Sequence, residues 1–179
     1  VQSASASMER LDEFLNEAPD FESGQFIPTE FKGHIVFDRV SFTYPNSGVQ
    51  ALKEVSFELK SGQSLGVLGK TGAGKSTIAA LIVRQYDPTS GAIYIDGVNL
   101  KEWNLPALKG HLGWVPQEAF LFSDTIANNI SFGMDSLNLP EVIAASKAAG
   151  VHGNIIEFPK SYETRVGERG VTLSGGQKQ

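Results

Sequence analysis

The sequence predicts an α/β fold, and three observations support this. A glycine-rich stretch, residues 69–77, lies between a short apolar run at 64–68 and a helix-like apolar run at 78–83. Residues 34–44 and 52–59 alternate apolar and polar side chains, which is the period of half-buried strands. Beyond residue 117 the segments become helical in pattern. We therefore expect a core of mixed strands and helices, followed by a helical part.

The composition narrows the class of protein. The chain has 179 residues, of which 41% are hydrophobic and 20% charged, as in an ordinary globular domain. Its net charge of −5 and the lack of a basic patch give nucleic-acid binding no electrostatic support. The absence of cysteine excludes disulfides and thiolate metal sites. No apolar run approaches the roughly 18–20 residues that cross a bilayer.

The N-terminal third is predicted to contain a helix, a linker and two strands. Residues 1–7 have no basic start and no apolar core, so they are not a signal peptide, and the missing initial Met predicts a longer protein. Apolar residues at helical spacing predict a helix over 4–17. Residues 18–33 hold two prolines and two glycines and predict a linker. The strands at 34–44 and 52–59 are joined by a turn at Pro45-Asn46-Ser47-Gly48.

The apolar pattern changes phase inside the first strand. Ile35 and Phe37 are out of phase with Val40, so we expect a bulge or kink near Asp38-Arg39. Alternation of this kind is typical of an antiparallel sheet with one solvated face. The run Ser64–Leu68 differs, because it is short, mostly apolar and followed at once by the glycine loop. It predicts a buried parallel strand.

The remaining elements are short. A helix is expected from Gly74 to Tyr86, where Asp87-Pro88 ends it. Strands are predicted at Ala92–Ile95 and His111–Val115, with a short helix at Leu105–Lys109 between them. Further helices are predicted at 125–130, 138–150 and 155–158, and from about 175 onwards.

The glycine loop carries the clearest chemistry. It fits G-x-x-x-x-G-K-[ST] between a predicted strand and a predicted helix, which is typical of a loop that binds the phosphates of a nucleotide. Glycines let backbone N–H groups face an anion, and the helix adds the positive end of its dipole. Lys75 is placed to contact the β- and γ-phosphates and Ser76 to bind Mg²⁺. The loop residues are Gly69, Lys70, Thr71, Gly72, Ala73, Gly74, Lys75, Ser76 and Thr77.

Three further features are compatible with the same nucleotide. Tyr44 ends a strand, where an aromatic ring can stack on adenine, although tyrosine is also common in sheets. Gln117 follows a predicted strand and Pro116, so it can bind Mg²⁺ or orient an attacking water, or be a plain loop residue. A second anion site is predicted at a helix N-terminus, although Ser-Gly-Gly is equally typical of a helix cap or linker. Its residues are Leu173, Ser174, Gly175, Gly176 and Gln177.

In this order, the features resemble the nucleotide-binding domain of an ATP-binding cassette (ABC) transporter. Tyr44 matches the aromatic A-loop residue, residues 69–77 the Walker A motif, and Gln117 the Q-loop glutamine. Residues 173–177 match the family signature LSGGQ without a change. Residues 166–170 resemble a loop typical of exporters, and the N-terminal helix resembles the segment after their last transmembrane helix. The resemblance thus indicates the lipid and multidrug exporter branch.

The resemblance implies a fold and a set of roles. The fold is a P-loop NTPase (RecA-like) core with an antiparallel β subdomain and a helical subdomain at about 118–179. Residues 1–33 are then a connector from a transmembrane domain, and 34–179 are the nucleotide-binding domain. Lys75 and Gln117 have catalytic roles, and Ser76 and Gln117 hold Mg²⁺. ATP is bound by Tyr44, the whole loop 69–77, Gln117, Ser174, Gly175, Gly176 and Gln177.

The resemblance also implies partners. Two such domains pair head to tail, so that Ser174 and Gly176 contact the γ-phosphate of ATP bound to the other domain. The second partner is a transmembrane domain, of the same or another chain, at the cytoplasmic face of the cell membrane. No nucleic acid is expected. Neither the transported substrate nor the choice between homodimer and heterodimer follows from the sequence.

The family's Walker B strand, catalytic glutamate and switch histidine lie beyond its signature. We therefore expect a sequence truncated after LSGGQ, with the C-terminal part of the core missing. Alone, this chain is expected to bind ATP without efficient hydrolysis. Three alternatives stay open: a soluble cassette ATPase of DNA repair or translation, a P-loop kinase of small molecules, and a regulatory module that only binds ATP.

Overall fold

The structure is a computed structural model that describes most of the chain. It covers residues 22–117, 119–167 and 173–179, together with Met8, Leu11 and Leu15. Those three residues are helical and exposed. The rest of the helix predicted at 4–17 lies outside the described residues. The chain divides into two compact units, residues 1–113 and residues 114–179, called here the first and second unit.

The first unit contains a four-stranded antiparallel sheet. Its strands are β1 (Ile35–Thr43), β2 (Gln50–Leu59), β3 (Ser90–Ile95) and β4 (Val98–Asn99), in the order β2-β1-β3-β4. Phe37 on β1 pairs with Phe57 on β2 and with Ile93 on β3. The two phenylalanine rings stack with centroids 4.4 Å apart. The antiparallel sheet predicted from alternation is therefore confirmed.

The predicted irregularity in β1 is also confirmed. The pairing of β1 with β2 shifts register between Phe37 and Val40. Within this shift, Arg39 has a left-handed φ of 46°. The shift lets both Phe37 and Val40 face the core, where they are 1% and 0% exposed. The change of phase in the sequence therefore marks a bulge that keeps two sets of apolar residues on one face.

The helix after the glycine loop is shorter than predicted. This helix, α1, spans Lys75–Ile82, and its Leu81 is fully buried in the core of the first unit. The sequence predicted that it would reach Tyr86. It ends earlier because Arg84 has a left-handed φ of 51°, a conformation that an α-helix does not admit.

The first unit is completed by two short helices. A 3₁₀ helix at Leu100–Glu102 is followed by α2 (Leu105–Gly110), as the sequence predicted for the latter. Asn104 caps α2, because its side-chain oxygen accepts a hydrogen bond from the backbone N–H of Ala107 at 3.1 Å. The buried apolar core comprises Phe37, Val40, Phe42, Leu52, Leu81, Ile93, Ile95, Leu100, Trp103 and Leu108.

Two predicted strands are wrong. Neither Ser64–Leu68 nor His111–Val115 is a strand. Leu68 is 98% exposed, so the first of these segments is not buried either. A strand exists only where a neighbouring strand hydrogen-bonds with its backbone. None of the described residues provides that neighbour for either segment, so apolar content alone overpredicted them.

The segment before β1, residues 22–33, is packed against the rest of the first unit. Phe26 forms a parallel bridge with Trp103, and the rings of these two residues meet edge to face with centroids 5.1 Å apart. Glu22 also contacts this unit, because its carbonyl accepts a hydrogen bond from Arg84 at 3.0 Å. Residues 22–33 were predicted as part of a linker on composition, and in the structure they belong to the packed domain.

A single carboxylate holds the end of this segment. Asp96 accepts hydrogen bonds from the backbone N–H groups of Lys32 and His34 at 2.8 Å each and of Gly33 at 3.3 Å. Burial opposes ionisation of this carboxyl, but the N–H groups of His34, Lys32 and Gly33 outweigh it and hold the pKa of Asp96 below its ordinary value. The ionised form therefore stabilises the fold.

In the second unit, the regular structure of the described residues consists of helices and an isolated bridge between Thr125 and Arg165. Its helices are α3 (Ile126–Ile130), α4 (Leu139–Ala148), α5 (His152–Glu157), a 3₁₀ helix at Ser161–Glu163 and α6 (Gly175–Lys178). Their buried residues form a separate core of Ile126, Ala127, Val142, Ile155, Tyr162 and Val166. Among the residues that the structure describes, no helix has the length and apolar character needed to cross a bilayer.

The Asp96→Asn substitution is expected to destabilise the protein at neutral pH by about 1–2 kcal/mol, because it removes the charge from three partly exposed hydrogen bonds. Since the pKa of Asp96 is lowered in the fold, its contribution is present above about pH 4 and is lost as the pH falls through the folded-state pKa. The variant should therefore lose less stability on acidification. Denaturant unfolding at pH 7 and pH 3, with Asp135→Asn at an exposed site as the control, checks this. If the free energy of unfolding falls by the same amount between pH 7 and pH 3 in Asp96→Asn and in Asp135→Asn, the stabilising role of the Asp96 carboxylate is contradicted.

Candidate nucleotide-binding site

The glycine loop brings the start of α1 close to β2. Gly74 is the N-cap of α1 and has a left-handed φ of 82°. A Cβ atom at Gly74 would lie 2.5 Å from the backbone oxygen of Ala51 and 3.0 Å from the side chain of Leu52. Gly72 also has a φ of 82°, but a Cβ atom there would meet nothing within 4 Å. Of these two glycines, Gly74 is therefore the one required both for its conformation and for its lack of a side chain.

The first turn of α1 presents backbone donors. The N–H groups of Thr77 and Ile78 donate to the oxygen of Gly74 at 3.1 and 3.2 Å. No acceptor among the described residues pairs with the N–H groups of Gly74, Lys75 or Ser76. Helix N-termini leave such donors unpaired and carry the positive end of the helix dipole. This turn is therefore suited to an anion.

The Lys75 side chain curls back into the same loop. Its ammonium nitrogen donates to the backbone oxygens of Gly69 and Lys70, both at 2.8 Å. An ammonium group has three donors, and two of them place it at the start of the glycine loop. These contacts hold the positive charge at the beginning of the loop, whose other end carries the unpaired N–H groups of α1.

Tyr44 lies against the far side of this turn. Its hydroxyl is hydrogen-bonded to the hydroxyl of Thr77 at 2.9 Å, and Thr77 is only 3% exposed. The ring of Tyr44 is half-buried and meets the rings of Phe42 and Tyr86 edge to face, with centroids 4.9 and 5.6 Å away. Two of the features predicted from the sequence, Tyr44 and the glycine loop, are therefore joined by a direct contact.

The other predicted site residues lie in the second unit. Ser174 caps α6, since its hydroxyl oxygen accepts from the N–H of Gln177 at 3.3 Å and the Gln177 side chain accepts from the N–H of Ser174 at 3.0 Å. The predicted helix start at Ser174 is therefore confirmed as a capping box. Gly175 and Gly176 are exposed, with no atom near the position of a Cβ. An approaching anion would meet no side chain there.

Gln117 is also held within the second unit. The side-chain amide of Gln179 donates to the backbone oxygen of Gln117 at 3.1 Å. This contact joins Gln117 to the residue that follows the signature helix, and no pattern in the sequence predicted it. Of the loop at 166–170, Val166 and Gly167 are described, and the rest lies outside the described residues. Among the described residues, no group of His, Asp and Glu side chains is arranged to hold a metal ion.

The comparison with known families settles the class. The family described as ABC transporter matches residues 52–179. This chain belongs to the ABC transporter family. The match includes the glycine loop, Gln117 and the LSGGQ residues at 173–177. The resemblance inferred from the motifs is therefore confirmed, as is the P-loop NTPase fold.

Relatives in this family are transporters from bacteria and animals. The chain is 43% identical over 98% of its length to the uncharacterized ABC transporter ATP-binding protein YfiB of Bacillus subtilis. It is 44% identical over its full length to ATP-binding cassette sub-family B member 6 of Mus musculus. It is 42% identical, also over its full length, to the multidrug resistance-like ATP-binding protein MdlA of Escherichia coli. The exporter branch inferred from the sequence is confirmed.

A solved structure agrees with these relatives. A bacterial Atm1-family ABC exporter with ATP bound matches 99% of the chain with a TM-score of 0.85 and 36% identity. The chain spans 31% of that protein, 31% of YfiB and 21% of the mouse protein. The chain thus matches about a fifth to a third of proteins that are several times longer.

The two loop glycines are expected to respond differently to alanine. Gly72→Ala should cost about 1–2 kcal/mol of stability, because it forces a side chain into the left-handed conformation. Gly74→Ala should cost about 1–3 kcal/mol more, because its methyl group would also collide with the backbone of Ala51. Denaturant unfolding of the two variants gives the comparison. If both lose the same stability, α1 is not held against β2 in the way described.

Proposed function

We propose that this chain is the motor domain of an exporter, which binds Mg-ATP on residues 69–77 and couples its binding and hydrolysis to transport in the whole protein. The observation that carries the proposal is the arrangement of donors at the start of α1. Unpaired N–H groups of Gly74, Lys75 and Ser76 adjoin the oriented ammonium of Lys75. Polyphosphate is the anion that this concentration of donors and charge favours.

The backbone and two side chains of the loop have separate roles in this proposal. The N–H groups and the helix dipole neutralise part of the phosphate charge, and Lys75 exchanges its carbonyl contacts for the β- and γ-phosphates. The exposed hydroxyl of Ser76 is suited to bind Mg²⁺. When bound, Mg²⁺ would neutralise further charge on the phosphates. Most of the catalytic effect expected of this domain is electrostatic stabilisation of that charge.

Tyr44 provides the adenine contact. Its hydroxyl is engaged by Thr77, which keeps the ring beside α1, and its half-buried ring has surface left for a base. Stacking of a base on an aromatic ring contributes about 1–3 kcal/mol in single-stranded nucleic-acid complexes. Tyr44 and the loop together therefore favour a nucleoside triphosphate over inorganic polyphosphate.

The signature residues complete a site of a second domain. The exposed Gly175 and Gly176 and the capped turn at Ser174 offer N–H groups without steric hindrance. Membership of the ABC transporter family supports a head-to-tail pair in which Ser174 and Gly176 contact the γ-phosphate on the other domain. The relatives are transporters, which supports a transmembrane domain as the other partner and a place at the cytoplasmic face of the membrane.

Lys75→Ala is the direct test of the phosphate contact. The variant should bind Mg-ATP more than about 100-fold more weakly, because it loses at least two charge-assisted contacts of about 1.5–3 kcal/mol each. Lys101→Ala, which removes an exposed lysine from the 3₁₀ helix, is the matched control and should bind normally. Equilibrium titration calorimetry measures both. Unchanged affinity in Lys75→Ala would reject the assignment of the loop.

Tyr44→Ala distinguishes the contribution of the adenine contact to binding from that of the phosphate contacts. It should weaken Mg-ATP binding by about 5- to 150-fold through the lost stacking, and leave the binding of inorganic triphosphate nearly unchanged. Tyr44→Phe keeps the ring and loses only the bond to Thr77, so it should retain most of the affinity. Competition titrations with Mg-ATP and with inorganic triphosphate measure the affinity of each variant for the two ligands. Equal losses for both ligands in Tyr44→Ala would argue against adenine stacking.

A further inference from the structure

We propose that Tyr86 is a positioning residue, which holds the Tyr44 ring in the plane that stacks on adenine. This inference rests on the proposed function, since it assigns a cause to the selectivity of the same site. Tyr86 follows α1 and lies outside the motifs found in the sequence. Its ring contacts the ring of Tyr44, with centroids 5.6 Å apart, so we expect it to act on the base and not on the phosphates.

Three aromatic rings contact one another at this point. Phe42 and Tyr86 each meet Tyr44 nearly at right angles, with interplanar angles of 79° and 84°. Phe42 and Tyr86 also contact each other, with centroids 5.2 Å apart. Phe42 is buried in β1 at 3% exposure, whereas Tyr86 is 37% exposed. The Tyr44 ring is therefore supported by a core residue and by a residue near the surface.

The hydrogen bond of Tyr44 does not fix its ring plane. The bond from its hydroxyl to Thr77 holds the tip of the side chain but permits rotation of the ring about its long axis. Edge-to-face contacts oppose that rotation, because they depend on the angle between the rings. A ring that is already oriented loses less freedom on binding, so its stacking contributes more affinity. Tyr86 supplies one of these orienting contacts.

The backbone that carries Tyr86 is itself restrained. Arg84 is 3% exposed, and its Nε donates to the Asp87 carboxylate at 3.0 Å. The same guanidinium donates to the carbonyl of Glu22 at 3.0 Å. The N–H of Gln85 donates to Ala80 in α1 at 2.9 Å. The turn at 84–87 is thus tied both to α1 and to the N-terminal segment, which makes Tyr86 a fixed support.

The experiment compares two ligands in matched variants. Tyr86→Ala and Tyr86→Leu should each weaken Mg-ATP binding by about 2- to 13-fold, the range of one aromatic pair, with Mg-tripolyphosphate binding unchanged. Tyr86→Phe keeps the ring and should restore wild-type affinity for Mg-ATP. Tyr94→Ala, at a half-buried tyrosine on β3, is the control and should change neither ligand. In a Tyr44→Ala background, Tyr86→Ala should cause no further loss.

The outcomes separate this inference from the proposed function. Unchanged Mg-ATP binding in the Ala and Leu variants overturns the inference, and so does an equal loss for both ligands, which would mean a purely structural role. If Tyr44→Ala weakens Mg-ATP and Tyr86→Ala does not, only the inference fails. If the unmodified chain binds no Mg-ATP, or Tyr44→Ala has no effect, the proposed adenine site fails and this inference fails with it. Thermal melting shows whether each variant is folded.

Discussion

The close approach of Gly74 to the backbone of Ala51 is the contact on which the rest of the site depends. It brings the N-terminus of α1 against β2 with no side chain between them. From that position, one helical turn supplies the unpaired N–H groups, the Lys75 ammonium and the Thr77 hydroxyl. A residue with a Cβ would separate α1 from the sheet and move all three groups together. The chemistry of the loop is therefore set by a packing constraint.

The helix that begins at this contact is held at its other end as well. Arg84, just beyond α1, pairs with Asp87 and bonds to the carbonyl of Glu22. The segment that contains Glu22 is anchored in turn by Phe26 on Trp103 and by the Asp96 carboxylate further along. A chain segment on the N-terminal side thus contacts the turn that follows α1, the helix whose N–H groups we propose to bind phosphate. The second unit prepares its own part separately, through the capping box of Ser174 and the bond from Gln179 to Gln117.

Local patterns in the sequence predicted what local physics determines. Alternation located β1 and β2, the phase change located the bulge at Arg39, and the glycine motif located the start of α1. The prediction of a strand at Ser64–Leu68 was wrong because a strand forms only when a second segment hydrogen-bonds with it. The sequence of one segment does not reveal whether such a neighbour exists. The predicted end of α1 was wrong because the left-handed conformation of Arg84 follows from its buried contacts, which helix propensity does not include.

Motifs in the sequence identified the candidate residues, but not the contacts among them. Tyr44, the loop and the LSGGQ residues were singled out because each has a recognisable residue type at a recognisable place. Tyr86 and Gln179 were not singled out, because their contacts with Tyr44 and Gln117 cross gaps in the sequence that carry no pattern. The hydrogen bond between Tyr44 and Thr77 is a contact between two motifs that the sequence analysis assigned to the same nucleotide without predicting that they touch.

The central claim is that the backbone donors at the start of α1 bind the phosphates of a nucleotide. The most direct measurement is a titration of the isotope-labelled chain with Mg-ATP, followed by the amide NMR signals of individual residues. We expect the largest shifts at Gly72, Gly74, Lys75 and Ser76, and we expect them to saturate together. Saturable shifts confined to residues outside 69–77, with these amides unmoved, would contradict it.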